Sequence, residues 1–405
     1  MTTAPKSGSA SSATATGIAR WQMPALVIGI LGLAVSAIGL FLDPWRADFF
    51  RSWLTSYLFW FSIAGGCVGL LMLQYVTGGE WGLMIRRPLG AASRSVWMLA
   101  VLVVPMVFGM ARIFPWADPR WPKFHEIQEQ KGFYLNPTAF WIRNAVYFAF
   151  LLIWAWRIRV LSLEFYKNRS PFTELSRRKW AASGLVLIVL VMTFFSIDWL
   201  MSIEPQWSST MFGITFLVGC GLSAFAFVTF FLSRLARTPA MEGVLKPMHL
   251  RDLGNLLLAF VMFYAYTSFS EFLLIWYANL REEIPHYLWR EHGAWGFIAL
   301  LVVVFHFFLP FFLLLMRGIK DRPETIGWVT VIILVIRYVA IYWLAAPAWY
   351  GEHFHYHWTA LTTLLGIGGL WLFEFIRQLK GQTIIPIHET WVEEAIREGA
   401  LKVNA

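Results

Sequence analysis

Two acidic residues lie inside long apolar stretches of the chain, where packing alone does not explain them. Asp198 occurs in TFFSIDWLMSIEPQW and Glu271 in YAYTSFSEFLLIWYANL. An ionised carboxylate in hydrocarbon is costly, so such residues usually face a water-lined or protein-lined path and act there. The chemistry that suits them is proton transfer, because a carboxyl group can both accept and donate a proton.

A stripe of hydroxyl groups leads to Glu271 along one helical face. Tyr264, Ser268 and Glu271 are spaced i, i+4 and i+7, and Thr267 lies beside them. Groups that both donate and accept hydrogen bonds are what a proton relay requires. The alternative is that the Ser and Thr hydroxyls bond back to their own helix while Glu271 pairs with an arginine.

Arg337 and His306 are the other polar residues near the middle of apolar stretches. Arg337, in VTVIILVIRYVAIYW, predicts a buried partner, for which Glu271 and Asp198 are the candidates. His306 precedes Pro310 by four residues, and an imidazole in water titrates near neutral pH, which suits proton transfer, although hydrogen-bonded packing is the competing interpretation. The proline frees a carbonyl in the preceding turn, which can hydrate a path. The candidate proton-transfer residues are therefore Asp198, Glu271, His306, Arg337, Tyr264 and Ser268.

The sequence offers little to bind a redox metal. CxxC and CxxCH motifs are missing, and Cys67 and Cys220 lie inside apolar stretches, where they are typical small apolar residues. The loop GEHFHYHW places His353, His355 and His357 at alternate positions, a spacing that suits a metal ion if the loop is extended. Without a cysteine nearby, an interfacial role or a partner contact is favoured, and we predict no metal site and no catalytic residue.

The elements that must position these side chains are transmembrane helices. Of the 405 residues, 58% are hydrophobic and 14% charged, against about 45–50% and about 25% in soluble domains. An all-α integral membrane fold follows, because backbone groups in lipid must be satisfied within each segment. Ten spans are predicted at Met23–Leu42, Trp53–Val76, Ser95–Phe114, Ala139–Trp156, Trp180–Met201, Met211–Leu232, Leu253–Tyr277, Gly293–Met316, Ile326–Ala346 and Thr359–Ile376.

The net charge of +9 reports topology rather than nucleic-acid binding. Most of the 33 lysines and arginines fall at helix ends on one side of the predicted membrane, and seven lie between Arg157 and Lys179. By the positive-inside rule, both termini are predicted to be cytoplasmic. We expect a disordered tail over residues 1–20, a ten-helix domain over 21–377 and a cytoplasmic tail over 378–405.

Small residues recur where helices are expected to pack closely. Gly32 and Ser36 lie in the first span and Gly366 and Gly369 in the tenth, which predicts tight seams between helices. Spans two to five and six to nine also form two sets of four with the same orientation. A repeat related by an axis along the membrane normal would have this arrangement, but the sequence similarity between the sets is weak.

Two segments resemble a known family. SFSEFLLIWYANLREEIPHYLWR and FSIDWLMSIEPQW, with the ten-span plan, are similar to the ActF family, the NrfD-like membrane subunits of bacterial alternative complex III, a quinol:cytochrome c oxidoreductase. The likeness runs from about Trp21 to Arg377. It implies two four-helix bundles with two flanking helices, in the bacterial inner membrane. Implied partners are a paralogous NrfD-like subunit, iron–sulfur subunits and multihaem cytochrome c subunits.

Four hypotheses for function follow. The first is a respiratory subunit that contributes a proton path to quinol oxidation but is not catalytic alone. The second is a quinone-binding subunit of the same complex, with quinone or menaquinone at a shared site near Trp276 and Tyr277. The third is an independent proton-coupled secondary transporter, and the fourth is a scaffold whose acids are merely paired. No cofactor is expected to be bound covalently.

Overall fold

The computed structural model describes residues 18–168, 170–238, 245 and 247–380, and the secondary structure within these ranges is entirely helical. The tails predicted at either end fall largely outside the described residues, which exclude 1–17 and 381–405. The α-helices are α1 (Gln22–Phe41), α2 (Arg46–Thr77), α3 (Arg86–Arg94), α4 (Val96–Leu102), α5 (Pro105–Ile113), α6 (Phe124–Lys131), α7 (Pro137–Asn168), α8 (Pro171–Trp199), α9 (Phe212–Leu235), α10 (Pro247–Ala278), α11 (Ile284–Glu291), α12 (Gly293–Val302), α13 (Leu309–Leu315), α14 (Arg317–Lys320), α15 (Pro323–Ala345), α16 (Pro347–Tyr350) and α17 (Trp358–Leu379).

The protein is an all-α, multi-pass membrane protein. Within the described residues, nine helical segments are long and apolar enough to cross a membrane, and a bent pair would bring the number to ten. The nine segments contain α1, α2, α7, α8, α9, α10, α12–α13, α15 and α17.

The third predicted span is not a single straight helix. Arg86–Leu102 and Pro105–Ile113 meet at an angle of 68°. Pro105 has no N–H to donate to the carbonyl four residues earlier, and its ring crowds that carbonyl. The Val104 N–H instead bonds the carbonyl of Val101, three residues back, at 3.1 Å. The proline therefore explains why an apolar stretch of the right length is bent.

A π-helix interrupts the eighth span between α12 and α13. It runs from Val303 to Phe308 and contains His306. Pro310 cannot donate to the carbonyl of His306, so the normal ladder is broken at this turn, and the Leu309 N–H reaches back five residues to Val304. Such one-turn π segments often mark functional sites. The sequence predicted that Pro310 frees a carbonyl in this turn, and the structure shows in addition that the turn widens around the histidine.

Helices α2 and α9 form the centre of the molecule. α2 packs against α3, α5, α8, α9 and α17, and α9 also packs against α8, α10 and α15. The backbones of α2 and α9 approach so closely that a Cβ on Gly66 would lie only 2.1 Å from the carbonyl oxygen of Cys220. Both cysteines are buried and unbonded to each other, as expected for small core residues.

The predicted small-residue seam is confirmed between α1 and α17. A Cβ on Gly32 would lie 2.7 Å from the Gly366 nitrogen, and one on Gly369 would lie 2.4 Å from the Gly29 nitrogen. The Ser36 hydroxyl also donates to Thr362 across the seam at 2.8 Å. Glycine at these crossings therefore sets how close the first and last helices can be.

Candidate functional site: a polar cluster among apolar helices

Three of the predicted residues meet around one aromatic ring. Tyr264 on α10 lies edge-to-face with His306, whose ring centroid is 4.6 Å away, at an interplanar angle of 86°. The guanidinium carbon of Arg337, on α15, lies 5.0 Å from the centroid of the same tyrosine ring. The tyrosine thus links a cation and an imidazole that come from different helices.

The surrounding backbone explains how Arg337 fits into an apolar core. A Cβ on Gly219, in α9, would lie 2.3 Å from Nη2 of Arg337, so the guanidinium rests directly on the α9 backbone. Only glycine leaves that space. The sequence predicted an acidic partner for Arg337, but among the described residues no carboxylate lies within 4 Å of it. Its contacts are instead the tyrosine ring and the glycine backbone.

Four buried polar atoms of this region lack a hydrogen-bond partner within the described part of the chain: Ser268 Oγ, Glu271 Oε1, His306 Nε2 and Arg337 Nε. Buried polar groups are hydrogen-bonded in the great majority of cases, so each exception needs an explanation. Thr267 shows the ordinary behaviour, since its hydroxyl donates to the Tyr264 carbonyl at 3.1 Å. The neighbouring Ser268 does not follow it. The alternative of hydroxyls bonded to their own helix therefore holds for Thr267 alone.

Glu271 continues the same helical face beyond Ser268. Glu271 is 6% exposed. Its carboxyl group lies near the side chain of Ser209, in the segment before α9. Seven residues separate it from Tyr264, which is about 10 Å along the helix axis. Among the described residues it is not salt-bridged, contrary to the alternative that it pairs with an arginine. An unpaired carboxylate at this depth is suited to bind and release a proton.

Asp198 has a different environment. Arg143 grips it from α7 through Nε to Oδ2 at 2.9 Å and through Nη2 to Oδ1 at 2.8 Å. The Tyr147 hydroxyl donates to Oδ2 at 2.8 Å. The carboxylate is fully buried, and Arg143 also stacks on Tyr134 at 3.8 Å. Its ion pair is with Arg143 and not with Arg337, and no described contact joins it to the cluster around Tyr264.

A second buried ionic group was not singled out by the sequence. Glu204 accepts hydrogen bonds from Arg290, and His286 Nδ1 lies 3.0 Å from its Oε2. The imidazole stacks on Trp207 with centroids 3.7 Å apart and an interplanar angle of 3°. His286 and Arg290 are four residues apart on α11, so they share one face. That spacing is the signal that the sequence carries for this group.

The electrostatics of this group follow from burial and charge. Burial and the nearby Arg290 lower the pKa of His286 to about 4. For Glu204, burial opposes ionisation but the positive charge of Arg290 and the bonds from His286 outweigh it, so its pKa falls to about 2. At neutral pH the group is therefore a carboxylate–guanidinium pair with a neutral imidazole beside it.

The histidine loop is held by local contacts. His355 Nε2 lies 3.4 Å from Asp48 Oδ1, and the side chain of His357 accepts from the Thr359 N–H at the start of α17. The described residues contain no group of three or more His, Cys, Asp or Glu side chains placed to hold a metal ion. At the end of α10, Trp276 and Tyr277 are 67% and 84% exposed.

The chain matches no protein-family model, and no curated protein shows significant similarity to it.

Proposed function

We propose that this chain carries protons through the membrane along Glu271, Ser268, Tyr264 and His306, as a subunit of a respiratory quinol:cytochrome c oxidoreductase. The observation that carries the proposal is the set of buried polar atoms without partners on α10, α15 and the π-helix. If these atoms stayed dry and unbonded, each would destabilise the folded protein by roughly 1–3 kcal/mol. Water molecules that enter transiently would bond these atoms and exchange protons with them.

Each residue has a distinct task in the proposed path. Glu271 binds a proton near the end of α10, and the Ser268 hydroxyl relays it by donating one proton while accepting another. The His306 Nε2 atom accepts it at the widened turn, beside the freed carbonyl before Pro310. Arg337 carries a fixed positive charge that stabilises a group that has just lost its proton. Asp198 would serve only if its bond to Arg143 opens.

The respiratory assignment is supported by the resemblance to the ActF family. Under it, the chain resides in a bacterial inner membrane with both termini cytoplasmic, and it assembles with a paralogous NrfD-like subunit, iron–sulfur subunits and multihaem cytochrome c subunits. We also propose ten spans, counting the bent pair as one. The helix contacts support two four-helix groups, α2–α5 with α7 and α8, and α9, α10, α12–α13 and α15, flanked by α1 and α17.

Glu271→Gln is the sharpest test of the proton path. The amide keeps the shape of the side chain but cannot bind and release a proton in turnover. We expect the complex to assemble with normal haem content, and quinol-driven proton movement into vesicles to fall at least about a hundredfold, the lower range of a general acid–base contribution. Glu282→Gln is the matched control, because Glu282 is an exposed glutamate in the following loop.

The outcomes separate the competing hypotheses. Intact assembly with unchanged proton movement in the Glu271→Gln protein would refute the path and favour a scaffold. Loss of quinol affinity with normal proton stoichiometry would favour a shared quinone site, for which the exposed rings of Trp276 and Tyr277 offer a surface to another subunit. A tagged chain that purifies alone and colourless through gentle extractions would favour the secondary transporter.

A further inference from the structure

A cavity lies between α3, α7 and the end of α2, far in sequence from the proposed proton path. Its volume is about 40 Å³, several times the roughly 10–15 Å³ that one water molecule requires. The described residues that line it include four arginines and no carboxylate: Arg86, Arg87, Arg94 and Arg159. Like charges gathered around a common space favour an anion within it.

Neutral donors complete the polar side of the cavity. The Tyr75 hydroxyl and the Ser162 hydroxyl lie 3.0 Å apart, and both residues line the cavity. The guanidinium carbons of Arg86 and Arg177 lie 5.2 Å and 4.5 Å from the centroid of the Tyr75 ring. Arg177 itself is buried. Its Nη2 atom is paired with Glu174, while its Nε and Nη1 atoms have no hydrogen-bond partner in the described part of the chain. The guanidinium behind the tyrosine therefore has N–H donors to spare, although Glu174 balances its charge.

The depth of the cavity points to the membrane interface. Tyr75 lies two residues before the end of the membrane-length segment Asp43–Thr77, and Ser162 lies three residues before the end of Pro137–Phe165. This is the level of lipid headgroups, on the side where most lysines and arginines are found and which the positive-inside rule predicts to be cytoplasmic. Ions from the aqueous phase and headgroups from the membrane can both reach that level.

The remaining wall of the cavity is apolar and continuous with a lipid-facing surface. Leu71, Ala155, Ile158 and Leu163 line it. On α7, Leu163 is 43% exposed, and Trp156, two turns further into the membrane on the same face, is 60% exposed. An anion with attached hydrocarbon chains satisfies both surfaces at once, whereas a free inorganic ion satisfies only the polar one.

We propose that this cavity binds the phosphate group of an anionic phospholipid, whose acyl chains lie along the exposed face of α7. Arg159 and the N–H groups of Arg94 that do not bond Gln378 form charge-assisted hydrogen bonds with the phosphodiester oxygens, and Tyr75 and Ser162 donate to the same group. Basic pockets between transmembrane helices on the cytoplasmic side are a recurring solution for such headgroups. The bound lipid would join α3 to α7, elements that are separated in the chain by more than forty residues.

The test uses the full chain, extracted in mild detergent with the subunits that accompany it. Native mass spectrometry would count the phosphatidylglycerol molecules that remain bound after exchange into lipid-free detergent. We expect the natural protein to retain phosphatidylglycerol, and the double variant Arg94→Gln/Arg159→Gln to bind it about tenfold more weakly. Arg322→Gln is the control, because Arg322 is an exposed arginine at the same end of the molecule and does not line the cavity.

A second variant keeps every arginine and removes the space. Gly90 lines the cavity, and a Cβ there would meet only the flexible end of Arg94, at 3.4 Å. Gly90→Leu should therefore fold, since leucine also favours the helix more than glycine does, and it should lose phosphatidylglycerol as the double variant does. If the double variant fails to fold, Gly90→Leu still tests whether the cavity binds the lipid.

Two further arms identify the source of the phosphate. Added phosphatidylglycerol should raise the denaturation temperature of the natural protein. Phosphatidylcholine, which has no net charge, should not. Inorganic phosphate at millimolar concentration should give little stabilisation. Equal retention of phosphatidylglycerol by the natural protein and both cavity variants overturns the proposal, and so does full stabilisation by inorganic phosphate with no retained lipid.

Discussion

At the scale of single residues, the two intramembrane acids differ in whether a cation holds them. Asp198 receives two hydrogen bonds from Arg143 and one from Tyr147, whereas Glu271 is not in an ion pair with any described residue. The sequence presents both simply as carboxylates in apolar helices. Side chains from other helices decide that the first is fixed in an ion pair and that the second has no cationic partner among the described residues.

We therefore expect Asp198→Asn to act through stability. The substitution leaves the Arg143 guanidinium without its counter-charge, and breaking a buried pair from one side costs about 3 kcal/mol or more. The denaturation temperature in detergent should fall, and adding Arg143→Gln should restore part of it, because the unpaired charge is then removed. If Asp198→Asn leaves stability unchanged but abolishes proton movement, the residue is a proton carrier after all.

The pH dependence of stability should reveal the buried His286. Its pKa is about 4 in the folded protein, against an ordinary value of 6.5. As pH falls below about 6.5 the unfolded chain takes up a proton that the folded chain does not, so stability declines by roughly 3 kcal/mol down to pH 4. Glu204, with a pKa of about 2 against 4.5, extends the decline between pH 4.5 and 2.

Thermal denaturation from pH 8 to pH 4 would measure this effect. His286→Gln cannot titrate and should flatten the profile between pH 6.5 and 4, while the exposed His125, replaced by Gln, serves as the control. A natural protein whose denaturation temperature is constant across that range would contradict the burial and charge balance described for the Glu204 group.

At the scale of secondary-structure elements, the π-helix between α12 and α13 decides where His306 points. Its neighbours Phe305 and Phe308 are largely exposed, while His306 is buried against Tyr264. A widened turn adds a residue to the helical repeat and so changes which residues face inward. The direction of His306 could therefore not be predicted from the regular 3.6-residue repeat of the sequence.

Pro310→Ala should uncouple function from stability at this element. Alanine restores the N–H that bonds the His306 carbonyl, which favours a regular helix, so the denaturation temperature should stay equal or rise. Proton movement should nevertheless decrease, because the imidazole loses its place beside Tyr264. Unchanged proton movement in a more stable protein would show that the π-helix serves packing only.

At the scale of the whole molecule, α1 and α17 form a pair that encloses no part of the polar cluster. Their seam depends on glycines whose Cβ positions would overlap the partner backbone. The pair packs against α2, whereas the cluster lies on α10, α15 and the π-helix. The glycine seam and the proposed proton path therefore involve separate parts of the fold.

Gly32→Leu should test that separation. The side chain would meet the backbone at Gly366, and forcing such a contact costs typically 1–3 kcal/mol or more. We expect less assembled complex and a lower denaturation temperature, with normal proton movement per surviving complex. Gly318→Leu is the control, because a Cβ there has nothing within 4 Å. Equal losses in both variants would argue against the seam.

The sequence by itself determined the membrane class, the helical content and most span positions. Length and hydrophobicity are local properties, and lipid permits only structures that satisfy their own backbone groups. It also identified Tyr264, Ser268, Glu271, His306 and Arg337, since polar side chains stand out in apolar stretches. The assignment of protons and quinol to them stays a prediction.

Only the tertiary structure decided which polar residues meet. Arg143 reaches Asp198 across 55 residues and Arg290 reaches Glu204 across 86. Such pairs depend on helix adjacency and rotation, and the spacing of residues along one helix carries no information about either. The glycine space for Arg337 has the same origin, because Gly219 lies on α9 and the arginine on α15.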